Sequence, residues 1–225
     1  MAFEKRLRFR MSVVGALLLS IPTLAAAQLV LFDFESSDGD EASFSPSLVS
    51  DHLTVGDILR GNGLTASSAT GTFSARSWST GGLDPEDFYE FSIQPDVGYG
   101  LNLERIEFDE RRSGSGIGTW TVRSSLDSFT FDLSPAPVSV PDNSETRLDQ
   151  AISLDLPAFQ DLTDSLVFRI YGYNAESSAG TWRVDNVELF GEVSVVPESE
   201  SWLLSGFVGL LMVVILKRFR VPSVE

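Results

Sequence analysis

Hydrophobic residues in the middle of this chain come in short bursts and never in long periodic runs. Residues 29–34, 73–78, 88–93, 101–108, 119–124, 129–133, 152–156, 166–173 and 181–190 are rich in aromatic and β-branched side chains. Gly, Ser, Asp and Pro punctuate them, the pattern of short strands joined by irregular loops. Within 88–93, Tyr89, Phe91 and Ile93 alternate with Glu90 and Ser92, the period of a half-buried antiparallel strand. No segment between the two ends of the chain shows a sustained helical period. The pattern predicts an all-β domain, a β-sandwich of the jelly-roll type, with barrel and immunoglobulin-like topologies as alternatives.

The last burst, 181–190, slips in phase. Trp182 and Val184 share one face whereas Val187 and Leu189 share the other, which predicts a β-bulge at Asp185 and Asn186. First and last strands of such a sandwich lie close together, and the first offers Asp33 and Glu35 in the run FDFE. Asp33, Glu35, Asp185 and Asn186 are hard oxygen ligands and form a candidate structural calcium set. Edge polarity and turn hydrogen bonding explain the same residues. The SSDGDE run, with Asp38, Asp40 and Glu41, has part of the spacing of a calcium loop but lacks the distal Glu of an EF-hand.

Two stretches resemble each other: GTWTV at 118–122 after the run SGSGI, and GTWRV at 180–184 after ESSA. Each reads as a flexible loop that delivers a strand with an inward Trp. Convergent loop-to-strand chemistry accounts for the likeness better than duplication, since nothing around the two aligns.

Both ends differ from the middle. Lys5, Arg6, Arg8 and Arg10 precede an apolar run at 11–21 and the small-residue exit PTLAAAQ, the layout of a secretory signal peptide. Ala25 and Ala27 place cleavage before Gln28. At the other end, 202–216 holds 15 uncharged residues, about 22 Å of helix against a bilayer core of about 30 Å. Including 199–201 and letting Lys217 and Arg218 snorkel makes a transmembrane helix. The basic cluster Lys217, Arg218 and Arg220 stops the helix at the cytoplasmic side.

With the ends set aside, charge and composition narrow the function. Residues 28–194 carry 28 acidic residues against nine Arg and no Lys, a net charge of −19. That surface repels nucleic acid. The absence of cysteine removes disulfides, thiol catalysis and thiolate metal sites. His52 is the single histidine, so a Ser-His-Asp triad would have to be built around it, but no GxSxG elbow occurs and a lone His beside Asp51 reads as a surface residue. Clustered-histidine metal sites are excluded, and no phosphate-binding glycine loop follows a strand. Paired carboxylates for glycoside hydrolysis are not distinguishable among so many acids. Trp78, Tyr89, Tyr99, Tyr171 and Tyr173 could stack on sugars or fill the core, and Tyr171 with Tyr173 on one face of IYGYN is the pair that best fits a platform.

The C-terminal segment carries a resemblance. Val196, Pro197 and Glu198, a short polar spacer, Trp202 heading an apolar run with Gly206 and Gly209, then Lys217, Arg218 and Arg220 resemble the PEP-CTERM sorting signal. Ser199 stands where that motif usually has its second proline. The stretches 88–129 and 166–191 are similar to the β-rich ectodomains that precede this signal. The resemblance implies recognition and processing of the tail by an exosortase after export. The expected organisation is a signal peptide over 1–27, a β-sandwich ectodomain over 28–194 and a sorting segment over 195–225. The expected function is that of a non-enzymatic cell-surface or extracellular-matrix protein, exported across the inner membrane and anchored there before processing. Its expected partners are the secretion machinery, signal peptidase, exosortase and exopolysaccharide. The alternatives are a carbohydrate-binding module for envelope polysaccharide and a secreted glycan hydrolase or lyase.

Overall fold

A computed structural model describes residues 26–197 except Ser134 and Ala136. Its strands are β1 (Ala27–Phe32), β2 (Ser43–Phe44), β3 (Leu48–Val49), β4 (Leu53–Val55), β5 (Ile58–Arg60), β6 (Thr65–Ala66) and β7 (Phe73–Arg76). There follow β8 (Phe88–Pro95), β9 (Tyr99–Arg112), β10 (Thr119–Ser124), β11 (Val138–Ser139), β12 (Arg147–Ser153), β13 (Leu166–Tyr173) and β14 (Trp182–Val195). They form two antiparallel sheets packed face to face, a β-sandwich. One sheet has the order β12-β9-β14-β1-β3, with β7 continuing the edge of β14 beyond β1 and β6 beside β7. The other has the order β11-β10-β13-β8-β5-β2, with β4 also on β8. From β8 onward the chain passes between the layers at most connections, so sequence neighbours face each other across the core.

Alternation makes that core. Tyr89, Phe91 and Ile93 of β8, Ile106 and Phe108 of β9, Phe168 and Ile170 of β13, and Trp182, Val184, Val187 and Leu189 of β14 are all buried. The last four share one interior because the register of β14 shifts between Asp185 and Glu188, where Asn186 takes a φ of 46°. The extra residue of the bulge turns Val187 and Leu189 back inward, as the phase slip predicted. Residues 129–133 are not the strand their alternation suggested. Ser128 and Phe129 adopt φ values of 58° and 59°, a left-handed pair that follows the short 3-10 turn Ser125–Asp127 after β10 and folds the segment back over the sheet. β14 also runs one residue past the expected domain boundary at 194, and Val196 N–H donates to the Gly98 carbonyl at 2.9 Å.

The two GTW stretches meet at one end of the sandwich. Trp120 and Trp182 are both buried, and their indole N–H groups donate to the two oxygens of one carboxylate, Glu110 on β9, the Trp120 contact at 2.9 Å. Arg147 of β12 forms an ion pair with the same group. Above them the loops interlock. Ser177 N–H donates to Ser115 O at 3.1 Å, Glu176 N–H to Gly116 O at 3.2 Å, and Ser113 N–H to Thr181 O at 2.9 Å. This close approach demands glycine. A Cβ on Gly180 would lie 1.9 Å from Ser115 O, and one on Gly116 would lie 2.4 Å from Thr181 O. Buried Arg112 closes the end through Glu176 and the carbonyls of Ser113 and Gly114.

Trp120→Phe strips one donor from a buried carboxylate and leaves the space of the lost pyrrole ring, so it is expected to cost at least about 1–3 kcal/mol, measured by urea unfolding of the full chain. Gly180→Ala forces the two loops apart and is expected to lower the midpoint by more than an alanine at Gly81, which has open space around it.

Candidate functional site

The bulge that repairs the core of β14 also sets the chemistry outside it. Asp185 points away from the interior and pairs directly opposite Asp109 of β9, and like charges in that position repel. Burial pushes the Asp185 carboxyl up to about 6, and the charges of Asp109, Glu35 and Asp33 add to that, against a hydrogen bond from Asn186 N–H. Three of the four residues expected to hold calcium, Asp33, Glu35 and Asp185, thus lie within electrostatic reach of one another, joined by Asp109, which sequence reading did not single out. Asn186, the fourth, donates from Nδ2 to Asp109 Oδ2 at 3.0 Å. Asp109 Oδ1 accepts from Asp149 N–H at 2.9 Å. Among the described residues no three Asp, Glu or His groups converge as a metal cage, so a cation here would take carbonyl, amide or water oxygens to complete its shell.

The SSDGDE run is a turn closed on itself. Glu41 accepts from Ser37 Oγ at 2.6 Å and from the N–H groups of Asp38 and Gly39. Burial pushes its carboxyl up, but these hydrogen bonds outweigh that and hold it below its ordinary value. Arg60 stacks on Phe73 at 3.6 Å and donates to the carbonyls of Gly39, Glu41 and Ser74. Ser37 Oγ and the N–H groups of Asp38 and Gly39 thus occupy the Glu41 carboxylate that a calcium loop would leave open.

On the opposite sheet the outer face is aromatic and charged. Tyr171 of β13 pairs with Thr121 of β10 on one side and Phe88 of β8 on the other. The folded-back segment covers them. Phe129 and Phe88 sandwich the Arg169 guanidinium at 4.0 and 4.1 Å, and Arg169 Nε donates to Glu90 at 2.5 Å. Asp132 binds Arg123 Nε at 2.6 Å. Tyr171 is therefore buried at 2% exposure and no open platform, while Phe131 stands 71% exposed. Half-buried Tyr173 feels both charges of the Asp132–Arg123 pair, and burial together with Asp132 pushes its hydroxyl up. Of the expected pair, both on this outer face, only Tyr173 keeps part of its surface open. Phe131 is the exposed aromatic of the folded-back segment, and its neighbours Asp127, Ser128 and Asp132 were the turn signals that could have revealed it.

His52 lies at the far end, with φ 61°, stacked on Tyr99 at 3.8 Å and 3.5 Å from Asp96. Its acidic neighbour is Asp96 and not the adjacent Asp51. Nearby, Val196 and Pro197 of the expected sorting motif line a depression with Val97, Tyr99 and Thr163. Ala27 opens β1 opposite Gly191, followed by Gln28. Glu198, Ala25, the apolar run 202–216, Lys217, Arg218 and Arg220 lie outside the described residues. Among the described residues no helix is long and apolar enough to cross a membrane.

No family model matches the chain, and no curated protein matches it. Solved structures resemble it at low identity. TmCBM61 in complex with beta-1,4-galactotriose is 13% identical with a TM-score of 0.34, covering 72% of this chain and 99% of its own. The K2 adhesin domain of Lys-gingipain is 19% identical with a TM-score of 0.32, at 72% and 97% coverage. The K3 adhesin domain of Lys-gingipain from Porphyromonas gingivalis is 15% identical with a TM-score of 0.37, at 73% and 99% coverage. Likeness at these scores carries no conclusion about function.

Because the Asp185 carboxyl titrates higher in the folded chain than its ordinary 3.8, its contribution to stability is full below that ordinary value and is lost as pH rises through about 6. In chelator, the melting temperature of the full chain is expected to fall from pH 4 to pH 7 more steeply than that of Asp185→Asn. Calcium is expected to raise the wild-type value at pH 7 and leave the variant unmoved. Equal calcium responses would remove Asp185 from any cation site.

Proposed function

We propose that this chain is an exported, non-enzymatic cell-surface protein whose jelly-roll ectodomain binds polysaccharide. One observation carries the binding reading: on the outer face of the β10-β13-β8 sheet, half-buried Tyr173 lies within electrostatic reach of the Arg123–Asp132 ion pair, and Phe131, next to Asp132 in the chain, stands exposed. Aromatic rings offer flat apolar surface to the C–H faces of a pyranose, and an adjacent ion pair offers fixed donors and acceptors to its hydroxyls. The jelly-roll reading is supported by the strand orders β12-β9-β14-β1 and β11-β10-β13-β8, in which first and last strands adjoin. The route is read from sequence: a signal peptide cleaved before Gln28, and a PEP-CTERM-like tail beginning at Val196 for exosortase processing. A calcium ion beside Asp185 is part of the same proposal, with the repulsion between Asp109 and Asp185 as its support.

A glycan array probed with the full chain in nonionic detergent tests the binding. Wild-type protein is expected to bind neutral oligosaccharides, and the double variant Phe131→Ala, Tyr173→Ala to lose at least tenfold while its unfolding midpoint holds. Undiminished binding by the variant sinks the platform. For the route, the intact mass of protein from native cells is expected to end between Val196 and Ser199, whereas a mass retaining 202–225 would make the tail a permanent anchor.

A further inference from the structure

The end of the sandwich from which the chain departs carries an apolar point on an otherwise acidic domain. Between β8 and β9 the chain reverses through Asp96, Val97, Gly98 and Tyr99, closed by Tyr99 N–H donating to Asp96 O at 3.0 Å. Gly98 takes a φ of 88°, which the third residue of a type II turn requires. Val97, at the apex, is fully exposed, where turns ordinarily place Pro, Gly or a small polar residue. The turn is braced from one side. Asp96 N–H donates to His52 O at 3.0 Å, and the His52 ring lies flat against Tyr99.

The departing strand joins the same end. Val195 pairs with Tyr99, and Val196 N–H donates to Gly98 O. Val195 is 68% exposed, and Val196 and Pro197 share their depression with Val97 and Thr163. The segments that build this end, 48–55, 94–101, 161–166 and 193–197, contain no Lys or Arg. Trp202, which heads the expected transmembrane run, follows Pro197 by five positions, at most about 17 Å of extended chain. So short a connection holds the Val97 end of the domain against whatever surface receives 202–216. A braced apolar apex beside Tyr and His rings fits a lipid interface, where amphipathic rings sit at headgroup depth and an apolar side chain leaves water. The acidic domain and the absence of basic residues at this end make that surface a zwitterionic one.

We propose that, while the tail is attached, the β8–β9 turn rests on the membrane with Val97 in the interface of zwitterionic lipid. This rests on the reading of 202–216 as an anchor and adds an orientation to it. The sandwich stands on end, with the Trp182 end of β14 farthest from the bilayer and both sheet faces open to solvent.

The test exploits the lack of native cysteine. The full chain is reconstituted into phosphatidylcholine vesicles with a nitroxide on one introduced cysteine. Val97→Cys places the label at the apex. Gly81→Cys places it at the opposite end, where Gly81 has open space and its carbonyl accepts from Asn174 N–H. Thr163→Cys reports from beside Val97 with the valine intact. Power saturation then compares collisions with oxygen, which enters lipid, and with a water-soluble nickel chelate. Relative to oxygen, nickel collisions at 97 are expected to be at least about tenfold fewer than at 81. The label at 163 is expected to be shielded as well, and to become as open as that at 81 when Val97→Asp is added, with the unfolding midpoint unchanged. Vesicles that carry the chain on flotation but leave 97 as open to nickel as 81 would overturn the contact and leave the anchor standing. Shielding at 81 equal to that at 97, or indifference of 163 to Val97→Asp, would also overturn the contact. A chain that does not float with the vesicles overturns anchor and contact together.

Discussion

A single buried carboxylate holds one end of this sandwich together. Glu110 sits on β9, yet the groups that satisfy it come from β10, β12 and β14, so its hydrogen bonds tie both sheets to each other. A charge out of water is costly unless paired and hydrogen-bonded, which makes the whole arrangement conditional. Trp120 and Trp182 must arrive together, and for that the two loops before them must touch. The loops touch only because Gly116 and Gly180 leave room for backbone against backbone. In a chain without cysteine, this network does the cross-linking that a disulfide does in many exported domains.

The bulge in β14 works in the opposite direction, from the core outward. It exists to bring Val187 and Leu189 back to the interior after Val184. Its cost appears on the surface, where Asp185 faces Asp109 and Arg183 faces Arg111. Asn186 absorbs part of that cost by bonding Asp109, and the two arginines share one small cavity with Asp109 and Asp185. A packing requirement inside the sandwich therefore dictates the charge pattern outside it.

What the sequence disclosed follows from this. Period-two alternation identified the long strands, and the phase slip at Asp185–Asn186 located the bulge, because side-chain direction in a strand is fixed by count alone. Acidic residues gathered where the first and last strands were expected to meet. The partnership of the two GTW stretches was not legible, although Glu110 and Arg112 continue the inward phase of Ile106 and Phe108. Alternation assigns such polar residues to the interior but names no partner. The segment 129–133 misled because its alternation is genuine while Ser128 and Phe129 leave the extended region, a backbone choice fixed by the grip of Phe129 on Arg169. The facing arginines needed the register of β9 against β14, which no local pattern contains.

β14 extends from Trp182 beside Glu110 to Val195, and the chain leaves the domain directly from it through Val196 and Pro197. It lies between β9 on one side and β7 and β1 on the other. The ladder bonds of antiparallel strands run perpendicular to the strand axis. Tension drawn along the exiting chain thus acts on those rungs in shear, many at once, and never peels them singly from an edge. Along that direction the Glu110 cluster is the far anchor of the same strand.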